Sequence, residues 1–458
     1  MISWLQNYRK PWIWVLVHVL LGYLSTVTSA AVIVFFYFVI LTSLNVFTQE
    51  ERSKTRLTLL IAYLVPFEII CRMAETSPFI PYELSKYLQF ILLIFGIFSW
   101  SSTGRIGFIM LILLVPSLFY DLSGKVDFKG IIFNILAPIN LCLGVIYFYR
   151  QKIDVEDFKK IVIAIVLPLI SALVFSYIKT PDYDQIEFQL GANFETTGGF
   201  GSNQVSTVFG LGMFLVFYLW YSRIFISGYS IVDLGILILF VLQGLLSFSR
   251  GGMIGGAISI LIFLYFGLRT KNPKTKKSTI FSRFLMPSVF LILTTVWLAN
   301  YITEGQLLLR YQGETAGTLA GNKEKDINSI TSNRSDIFEG DLLLFYDNPM
   351  GVGAGASRYL RSRQKDVASH VEFSRLLAEH GYLGLIFFTI LTFFPLIFFR
   401  NNSSLEFKGF VIAIFFLAWY TSFHAATRNF VTPLLIGISL MTVVKKNNVE
   451  VNKKVSSS

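Results

Sequence analysis

Two arginines stand in sequence contexts suited to binding an anionic substrate. Arg250 lies in a Ser-Arg-Gly-Gly run, in which the two glycines allow close approach of the backbone. Arg334 follows Asn333, and Asn333 and Asp336 have the residue types and spacing of a helix N-terminus. An arginine in the first helical turn adds a two-pronged donor to the free backbone N–H groups there. Both contexts therefore indicate a phosphate site, although an interfacial arginine reaching water and a solvated loop arginine are the structural alternatives.

A histidine in a third segment could act as a general base. Ser369 and Glu372 fit a capping box, and Gly381 fits a C-terminal stop, so a short helix is predicted between them. His370 would lie in the first turn of this helix, where the helix dipole favours the neutral imidazole that a base requires. A structural loop histidine is the alternative interpretation.

Further polar residues are candidates for substrate contact. Three of them share one face of the predicted short helix, and a capping role is a competing explanation for the first of these. Asn203 ends an outward glycine-rich stretch, and Arg428 follows His424 at the end of a predicted membrane span. The predicted substrate-binding residues are Asn203, Glu372, Arg375, Glu379 and Arg428.

Three other segments have mainly structural interpretations. Glu68 and Arg72 stand four residues apart in an apolar run, which predicts an intrahelical ion pair. The turn from Asn348 to Gly355 resembles a phosphate cradle, but no strand precedes it. The third segment is basic and predicts a solvated face that could also attract phosphates or acidic glycans. This face is formed by Arg358, Arg361, Arg363 and Lys365.

The elements that must position these residues are membrane helices. The chain of 458 residues is 54% apolar and 15% charged, with a mean hydropathy of +0.61, whereas average soluble domains carry about 25% charged residues. A spanning helix needs about 20 mostly apolar residues. This length predicts an all-α polytopic membrane protein with about fourteen spans, at 11–26, 29–47, 56–74, 84–100, 105–120, 130–149, 159–178, 202–222, 230–248, 252–268, 283–301, 382–399, 407–424 and 430–444.

The distribution of charge predicts the orientation. The net charge of +11 comes from basic residues in short linkers between apolar runs, as the positive-inside rule expects, and without the aromatic interleaving of a nucleic-acid site. An even number of spans places both termini in the cytoplasm. The chain then divides into helices at 1–301, an extracytoplasmic loop with short helices at 302–381, and helices with a cytoplasmic tail at 382–458. With two cysteines, both in apolar runs, and four histidines, neither a disulfide framework nor a metal cluster is expected.

These motifs, in this order, resemble the O-antigen ligase and O-antigen polymerase superfamily of bacterial membrane glycosyltransferases. The resemblance covers roughly residues 190–400. It rests on the glycine-rich stretch ending in Ser-Asn-Gln at 202–204, the Ser-Arg-Gly-Gly run, the Arg334 segment with its glycine turn, and Ser369 through Gly384. One departure is Val371, where family members often carry asparagine after the histidine.

The resemblance implies a C-type glycosyltransferase architecture in the inner membrane, with its active site on the extracytoplasmic side and no metal or cofactor. The donor would be a glycan on undecaprenyl diphosphate, and the acceptor a glycan or lipid A–core. Arg250 and Arg334 would bind the diphosphate, and His370 would orient or deprotonate the acceptor hydroxyl. Membrane lipids and a chain-length regulator protein are further candidate partners.

Several functions remain open from the sequence. The predicted span count favours a polymerase over a ligase. A flippase for lipid-linked oligosaccharide, or another transporter, would place charges at the membrane midplane and show repeat symmetry, neither of which is evident. A sensor or scaffold is the least favoured alternative, because no segment resembles a signalling module.

Overall fold

The computed structural model is predominantly helical, and the predicted spans can be compared with it one by one. It describes residues 10–48, 54–81, 83–100, 104–122, 124–269, 286–322, 324–331, 334–367, 369–399, 402, 404–425 and 431–444. A helix overlies each of the predicted spans. The longer helices of the first part are α1 (Pro11–Val27), α2 (Ala30–Thr48), α3 (Lys54–Met73), α4 (Leu84–Ser99), α5 (Arg105–Leu114), α6 (Phe128–Phe148), α7 (Val155–Lys179), α8 (Ser202–Tyr221), α9 (Ser230–Leu246), α10 (Arg250–Leu268) and α11 (Met286–Ile302).

The predicted loop region contains several helices. Between α11 and the next long helix lie α12 (Gln306–Tyr311), α13 (Ala316–Leu319), α14 (Ile327–Thr331), α15 (Arg334–Asp347) and α16 (Ser357–Leu360). The chain then forms α17 (Glu372–Phe398), α18 (Leu405–Ser422) and α19 (Val431–Ser439). Three-residue or four-residue 3₁₀ turns occur at Val115–Leu118, Tyr183–Gln185 and Glu195–Thr197.

The exact number of spans is not confirmed. Among the described residues, six helices are long and apolar enough to cross a membrane, namely α6, α7, α8, α10, α17 and α18. Several others are shorter apolar helices, and α5 has only ten residues before its 3₁₀ extension. The last predicted span is wrong at its end, because α19 stops at Ser439.

The predicted all-α fold includes one short parallel sheet of two three-residue strands. Strand β1 (Lys152–Asp154) pairs with β2 (Thr442–Val444), and Ile153 is in register with Val443. Helix α7 begins directly after β1, so the sheet lies at its N-terminal end. The sheet therefore joins two segments that the predicted orientation assigns to the same side of the membrane.

Glycines bring three helices of the later half close together. A Cβ at Gly252 in α10 would lie 2.1 Å from the carbonyl oxygen of Ser206 in α8, and one at Gly256 would lie 2.5 Å from that of Gly210. On the opposite side, Ser259 of α10 donates a 3.1 Å hydrogen bond to the carbonyl oxygen of Ala413 in α18. Small residues permit such backbone contact between membrane helices. This packing sets the relative heights of the three helix ends that carry the site.

The predicted intramembrane ion pair is present and has a third member. Arg72 lies 3.5 Å from Glu68, and Lys86 of α4 lies 3.2 Å from the same carboxylate oxygen. All three side chains are nearly inaccessible. Because an isolated charge is costly in hydrocarbon, the two ion pairs of Glu68 offset part of that cost, and the pair with Lys86 ties α3 to α4.

Helix α17 is broken at Gly381, as the predicted stop requires. Gly381 has φ 60° and ψ −141°, which interrupts the helix between the short charged segment and the apolar span. A Cβ there would lie 2.2 Å from the carbonyl oxygen of Pro349. The break thus requires glycine both for its backbone conformation and for the space next to the turn after α15.

Candidate active site

A cavity of about 810 Å³ gathers the arginines and the histidine that the sequence analysis selected. It opens where helices from both parts of the chain end and where the loop region covers them. Its lining includes the predicted site residues Asn203, Arg250, Arg334 and His370, and also His424. Arg428 lies outside the described residues.

Arg250 stands at the first position of α10. Its Nη1 donates a 2.8 Å hydrogen bond to the carbonyl oxygen of Arg310. The next residue must be glycine because the residues after α18 pack against it. A Cβ at Gly251 would lie 2.3 Å from the ring of His424. The predicted function of the Ser-Arg-Gly-Gly glycines, close approach, is therefore confirmed by the packing.

Arg334 begins α15, so the prediction that it lies in a first helical turn is confirmed. Its predicted cap, Asn333, lies outside the described residues. Burial, followed by the charge of Arg250, lowers the pKa of Arg334 to about 10. The side chain remains cationic at neutral pH, and in the described part of the chain no carboxylate forms an ion pair with it.

Sequence reasoning missed a third cationic residue, Arg310. It lies near the end of α12, is only 7% exposed, and lines the same cavity. Burial and the nearby charges of Arg250 and Arg334 lower its pKa to about 10. The sequence feature that could have identified Arg310 is its position directly after the apolar run Leu307–Leu309. Like charges held this close indicate a site built for a multiply charged anion.

His370 lines the cavity, but not from the predicted position. Helix α17 begins at Glu372 with Val371 as its N-cap and no side-chain cap, so the predicted capping box is wrong. Ser369 instead donates hydrogen bonds to Asp341, at 3.2 Å, and to the carbonyl oxygen of Val371, at 3.1 Å. His370 therefore precedes the helix, and the dipole argument for its neutral form does not apply.

A hydrogen-bonded group of polar side chains forms the wall opposite the loop region. Ser249 Oγ donates to Asn203 Oδ1 at 2.8 Å and lies 3.1 Å from His424 Nε2, and Ser206 Oγ donates to Ser249 Oγ at 2.9 Å. Since Ser249 has one proton, a neutral His424 donates from Nε2 when Ser249 donates to Asn203. Burial lowers the pKa of His424 well below its usual value, and Arg334, His370 and Arg250 lower it further.

Glu372, Arg375 and Glu379 do not line the cavity. Arg375 is held between the two carboxylates, 2.5 Å from Glu372 and 3.1 Å from Glu379, and all three are at most 7% exposed. Glu379 also accepts a 2.9 Å hydrogen bond from Ser357, and Arg375 donates to the carbonyl oxygen of Asn134 at 3.2 Å. These contacts support a structural role rather than the predicted substrate contact.

The basic cluster after the glycine turn is not a uniformly solvated face, so that interpretation is wrong for Arg361. The Arg361 side chain is inaccessible and lies 3.4 Å from Asp341. It also donates to the carbonyl oxygen of Val367. Arg363, by contrast, is half exposed and pairs with Glu339 at 2.6 Å. Arg361 thus attaches α15 to the segment before His370.

The glycine turn after α15 does not form a phosphate cradle. The N–H groups of Val352 and Gly353 donate, at 3.0 Å each, to the carbonyl oxygens of Ala378 and Glu379. Gly351 and Gly353 have φ values of 90° and 96°. The N–H groups of the turn are therefore already bonded to α17 and are not free to bind a phosphate. The turn also does not line the cavity.

The arginines in the lining suit the recognition of an anion. Among the described residues, no group of three or more His, Cys, Asp or Glu side chains is arranged to hold a metal ion. Three guanidinium groups, two imidazoles and the Ser249 hydroxyl group line a hollow of ligand size, together with the carboxylates of Glu324, Asp326 and Asp336. Such a site can bind a diphosphate and place a proton acceptor beside it.

Fold and site together define a multi-pass membrane protein with an arginine-lined cavity at the ends of its helices. Residues 235–389 match the family model described as O-antigen ligase. The match runs from α9 into α17 and includes Arg250, Arg310, Arg334 and His370, and it confirms the predicted relation to the O-antigen ligase and polymerase superfamily. No curated protein and no solved structure shows significant similarity to the chain.

Proposed function

We propose that this protein is a membrane glycosyltransferase that transfers or polymerises oligosaccharide linked to undecaprenyl diphosphate on the outer leaflet. The observation that carries the proposal is the convergence of Arg250, Arg310, Arg334 and His370 on one cavity. These residues come from four separate elements, so their convergence is not a consequence of sequence proximity. The family match supports a transferase of this class.

The arginines would bind the diphosphate and stabilise it as it leaves. In the reaction, the bond between the anomeric carbon and the diphosphate oxygen breaks, and a bond to the acceptor hydroxyl oxygen forms. Negative charge grows on the departing undecaprenyl diphosphate. Fixed guanidinium groups in a partly buried site stabilise that charge without needing to reorganise.

His370 would accept the proton of the acceptor hydroxyl. A general base must reach the proton that it removes, and His370 shares the cavity with the arginines that would hold the donor. Ser249 and Asn203, held by His424, would contact the donor or the acceptor from the opposite wall.

The arrangement of charge supports an extracytoplasmic site. Helices α8 and α10 begin at the cavity, whereas α7 begins at the β1–β2 sheet and runs the other way towards Lys179. The sheet end carries Arg150, Lys152, Lys159 and Lys160. Basic residues favour the cytoplasmic side, which would leave the cavity on the outside.

A transport function has less support. A transporter would need charged groups available at the membrane midplane. The buried charges Glu68, Arg72 and Lys86 are instead paired with one another, and Arg72 and Lys86 lie in the end turns of α3 and α4. The arginine-lined cavity lies at helix ends, where a reaction partner could enter from outside the membrane.

The test is a transfer assay with the full chain in lipid nanodiscs. A repeat-unit oligosaccharide on undecaprenyl diphosphate is supplied, and release of undecaprenyl diphosphate and formation of the new glycoside are measured. The unmodified protein should do both, and Arg334→Ala should do neither. Movement of the intact lipid-linked glycan across a vesicle membrane without glycoside formation would instead identify a transporter.

The glycan profile of a deletion strain separates the two acceptor classes. Single-repeat products on lipid A–core would indicate a lost polymerase, which the predicted span count favours. Polymer remaining on the lipid carrier would indicate a lost ligase.

A further inference from the structure

A second hollow lies beside the active-site cavity and differs from it in charge. Two adjoining cavities of about 610 and 500 Å³ share Tyr183, Asp184, Ile302 and Glu304 in their walls. They form one groove between the segment after α7 and the junction of α11 with α12. We call it the acidic–aromatic groove and define it by Tyr183, Asp184, Glu187, Trp297, Tyr301 and Glu304.

The groove contains an exposed aromatic platform. The rings of Trp297 and Tyr301 stack with their centroids 5.9 Å apart and their planes at 17°. Their exposed fractions are 65% and 73%, so the stacked pair presents its outer surface rather than filling the core. Flat aromatic faces of this kind bury the C–H face of a pyranose ring and leave the sugar hydroxyls free at its edge.

Polar acceptors surround the platform. Asp184, Glu187 and Glu304 are exposed, and none forms an ion pair with another described residue. Ionised carboxylates only accept hydrogen bonds, so they match the hydroxyl and amino donors of a sugar. Their charge disfavours carboxylated or phosphorylated sugars, since like charges repel.

Two chain segments connect the groove directly to the active-site cavity. Helix α12 has Gln306 in the groove and Arg310 in the cavity, a separation of about 6 Å along a helix axis. On the other side, the groove residue Phe188 stacks on Phe248 with 5.6 Å between ring centroids, two positions before Arg250. A chain leaving the arginines would enter the groove within the length of a sugar or two.

We propose that the acidic–aromatic groove is a glycan-binding subsite that holds neutral or amino-bearing sugars next to the arginine-bound diphosphate. The proposal rests on the proposed glycosyltransferase function. The sugars belong either to the donor glycan or to the acceptor glycan, whose chemistry is the same. Binding there would align a glycan end with the reacting centre by contacts remote from the bond that changes.

An aromatic belt at the membrane interface is the competing explanation for Trp297 and Tyr301. Such residues would face lipid headgroups, many of which carry phosphate. The exposed carboxylates of Asp184 and Glu304, which line the same cavity as the pair, would repel those headgroups, whereas they complement a hydroxyl-rich ligand. The charge of the groove therefore favours a sugar over a lipid surface.

The first test measures binding of a soluble glycan to the full chain in nanodiscs. The probe is the repeat-unit oligosaccharide released by mild acid from the producing strain's surface polysaccharide, and binding is measured by calorimetry. Trp297→Ala, Tyr301→Ala and Glu304→Gln should each weaken binding at least about tenfold, the effect of losing roughly 1.4 kcal/mol. Tyr346→Ala and Glu156→Gln, which change an exposed aromatic and an exposed carboxylate elsewhere, should bind normally.

Charge selectivity gives a second readout. The unmodified protein should bind a carboxyl-reduced form of the probe more tightly than a carboxylated form. Glu304→Gln should reduce this difference in affinity, because it removes one of the repelling charges. Absence of binding at millimolar probe, or equal binding by the groove variants and the unmodified protein, overturns the proposal. Loss of membrane insertion without a change in glycan affinity also overturns it, in favour of an aromatic belt.

The transfer assay identifies which glycan occupies the groove. A rise in the KM for the lipid-linked donor in Trp297→Ala assigns the groove to the donor glycan, and a rise in the KM for the acceptor assigns it to the acceptor. Unchanged values for both contradict the subsite. Because soluble-glycan binding does not require the reaction, the groove and the proposed transferase function can fail independently of each other.

Discussion

Arg250 donates a 2.8 Å hydrogen bond from its guanidinium group to the carbonyl oxygen of Arg310. The contact anchors the first residue of a membrane helix to a loop helix sixty residues later in the chain. It also keeps Arg250 close to the cationic Arg310, whose pKa the charge of Arg250 lowers. Repulsion between these cations is relieved when an anion, such as the proposed diphosphate, binds between them.

Replacing Arg250 with lysine should nearly abolish transfer. Lysine keeps the charge but lacks the planar fork, so it cannot bond to the Arg310 carbonyl and to a phosphate in the same geometry. We expect the rate of undecaprenyl diphosphate release to fall on the order of 100-fold. Arg363→Lys, at a half-exposed arginine outside the cavity, is the matched control and should be fully active. Normal turnover by Arg250→Lys would mean that charge alone suffices.

Replacing His370 with alanine should reduce catalysis and leave donor binding intact. Loss of a general base costs about 10² to 10⁴ in rate. The dissociation constant for the lipid-linked donor, measured separately, should be unchanged because the three arginines remain. A variant with weaker donor binding and an unchanged kcat would assign His370 to binding instead.

His424 should make the protein less stable in mild acid. Burial lowers its pKa well below 6.5 in the folded state, so below pH 6.5 the unfolded chain binds a proton that the folded chain does not. Above the pKa of His424 in the unfolded chain, the protonation of this residue does not reduce the free energy of unfolding. As the pH falls from there towards the pKa in the folded protein, the free energy of unfolding decreases by up to about 1.4 kcal/mol per pH unit. Melting temperatures between pH 7.5 and 5.0 should fall less steeply for His424→Gln. Parallel curves would show that His424 is protonated in the folded protein.

Replacing Arg375 with methionine should strongly destabilise the fold. The change leaves the buried carboxylates of Glu372 and Glu379 without their counter-charge, which costs about 3 to 5 kcal/mol. Arg363→Met removes an exposed pair with Glu339 and should cost at most about 1 kcal/mol. Thermal unfolding in detergent compares the two. Comparable losses would contradict the structural role assigned to the buried cluster.

Replacing Gly381 with alanine should also be destabilising. The conformation at φ 60° and ψ −141° costs a residue with a Cβ on the order of 1 to 3 kcal/mol, and the added methyl group would collide with the Pro349 carbonyl oxygen. Gly235→Ala is the control, because that helical glycine has open space around it and alanine should stabilise the helix by up to about 1 kcal/mol. A Gly381→Ala variant that melts with the unmodified protein would contradict the tight contact with the turn.

The sequence motifs selected four of the residues that line the cavity, Asn203, Arg250, Arg334 and His370, but they did not predict the local geometry of each one. Arg334 does begin a helix, as its surroundings indicated. His370 does not, because Ser369 bonds to Asp341 in another helix rather than capping its own. Capping boxes are local patterns, and a partner distant in sequence can outcompete them.

Charged residues were the hardest to interpret from sequence. Glu379 and Arg361 are as polar as Arg334, and nothing local distinguishes a buried ion pair from a ligand contact. The partners of these residues, Arg375 and Asp341, are found by tertiary packing. Arg310 was missed for the same reason, since a lone arginine in a loop gains meaning only from its neighbours in space.

The amino-acid sequence by itself determined that this is a helical membrane protein, because hydrophobic length and charge act locally and each apolar segment shows them without reference to the rest of the chain. Tertiary structure alone decided which polar groups share a cavity. That outcome depends on how closely helices approach, which is set by contacts such as those of Gly251 and Gly252, and on which buried charges neutralise one another. Both involve residues far apart in sequence, so no local pattern specifies them.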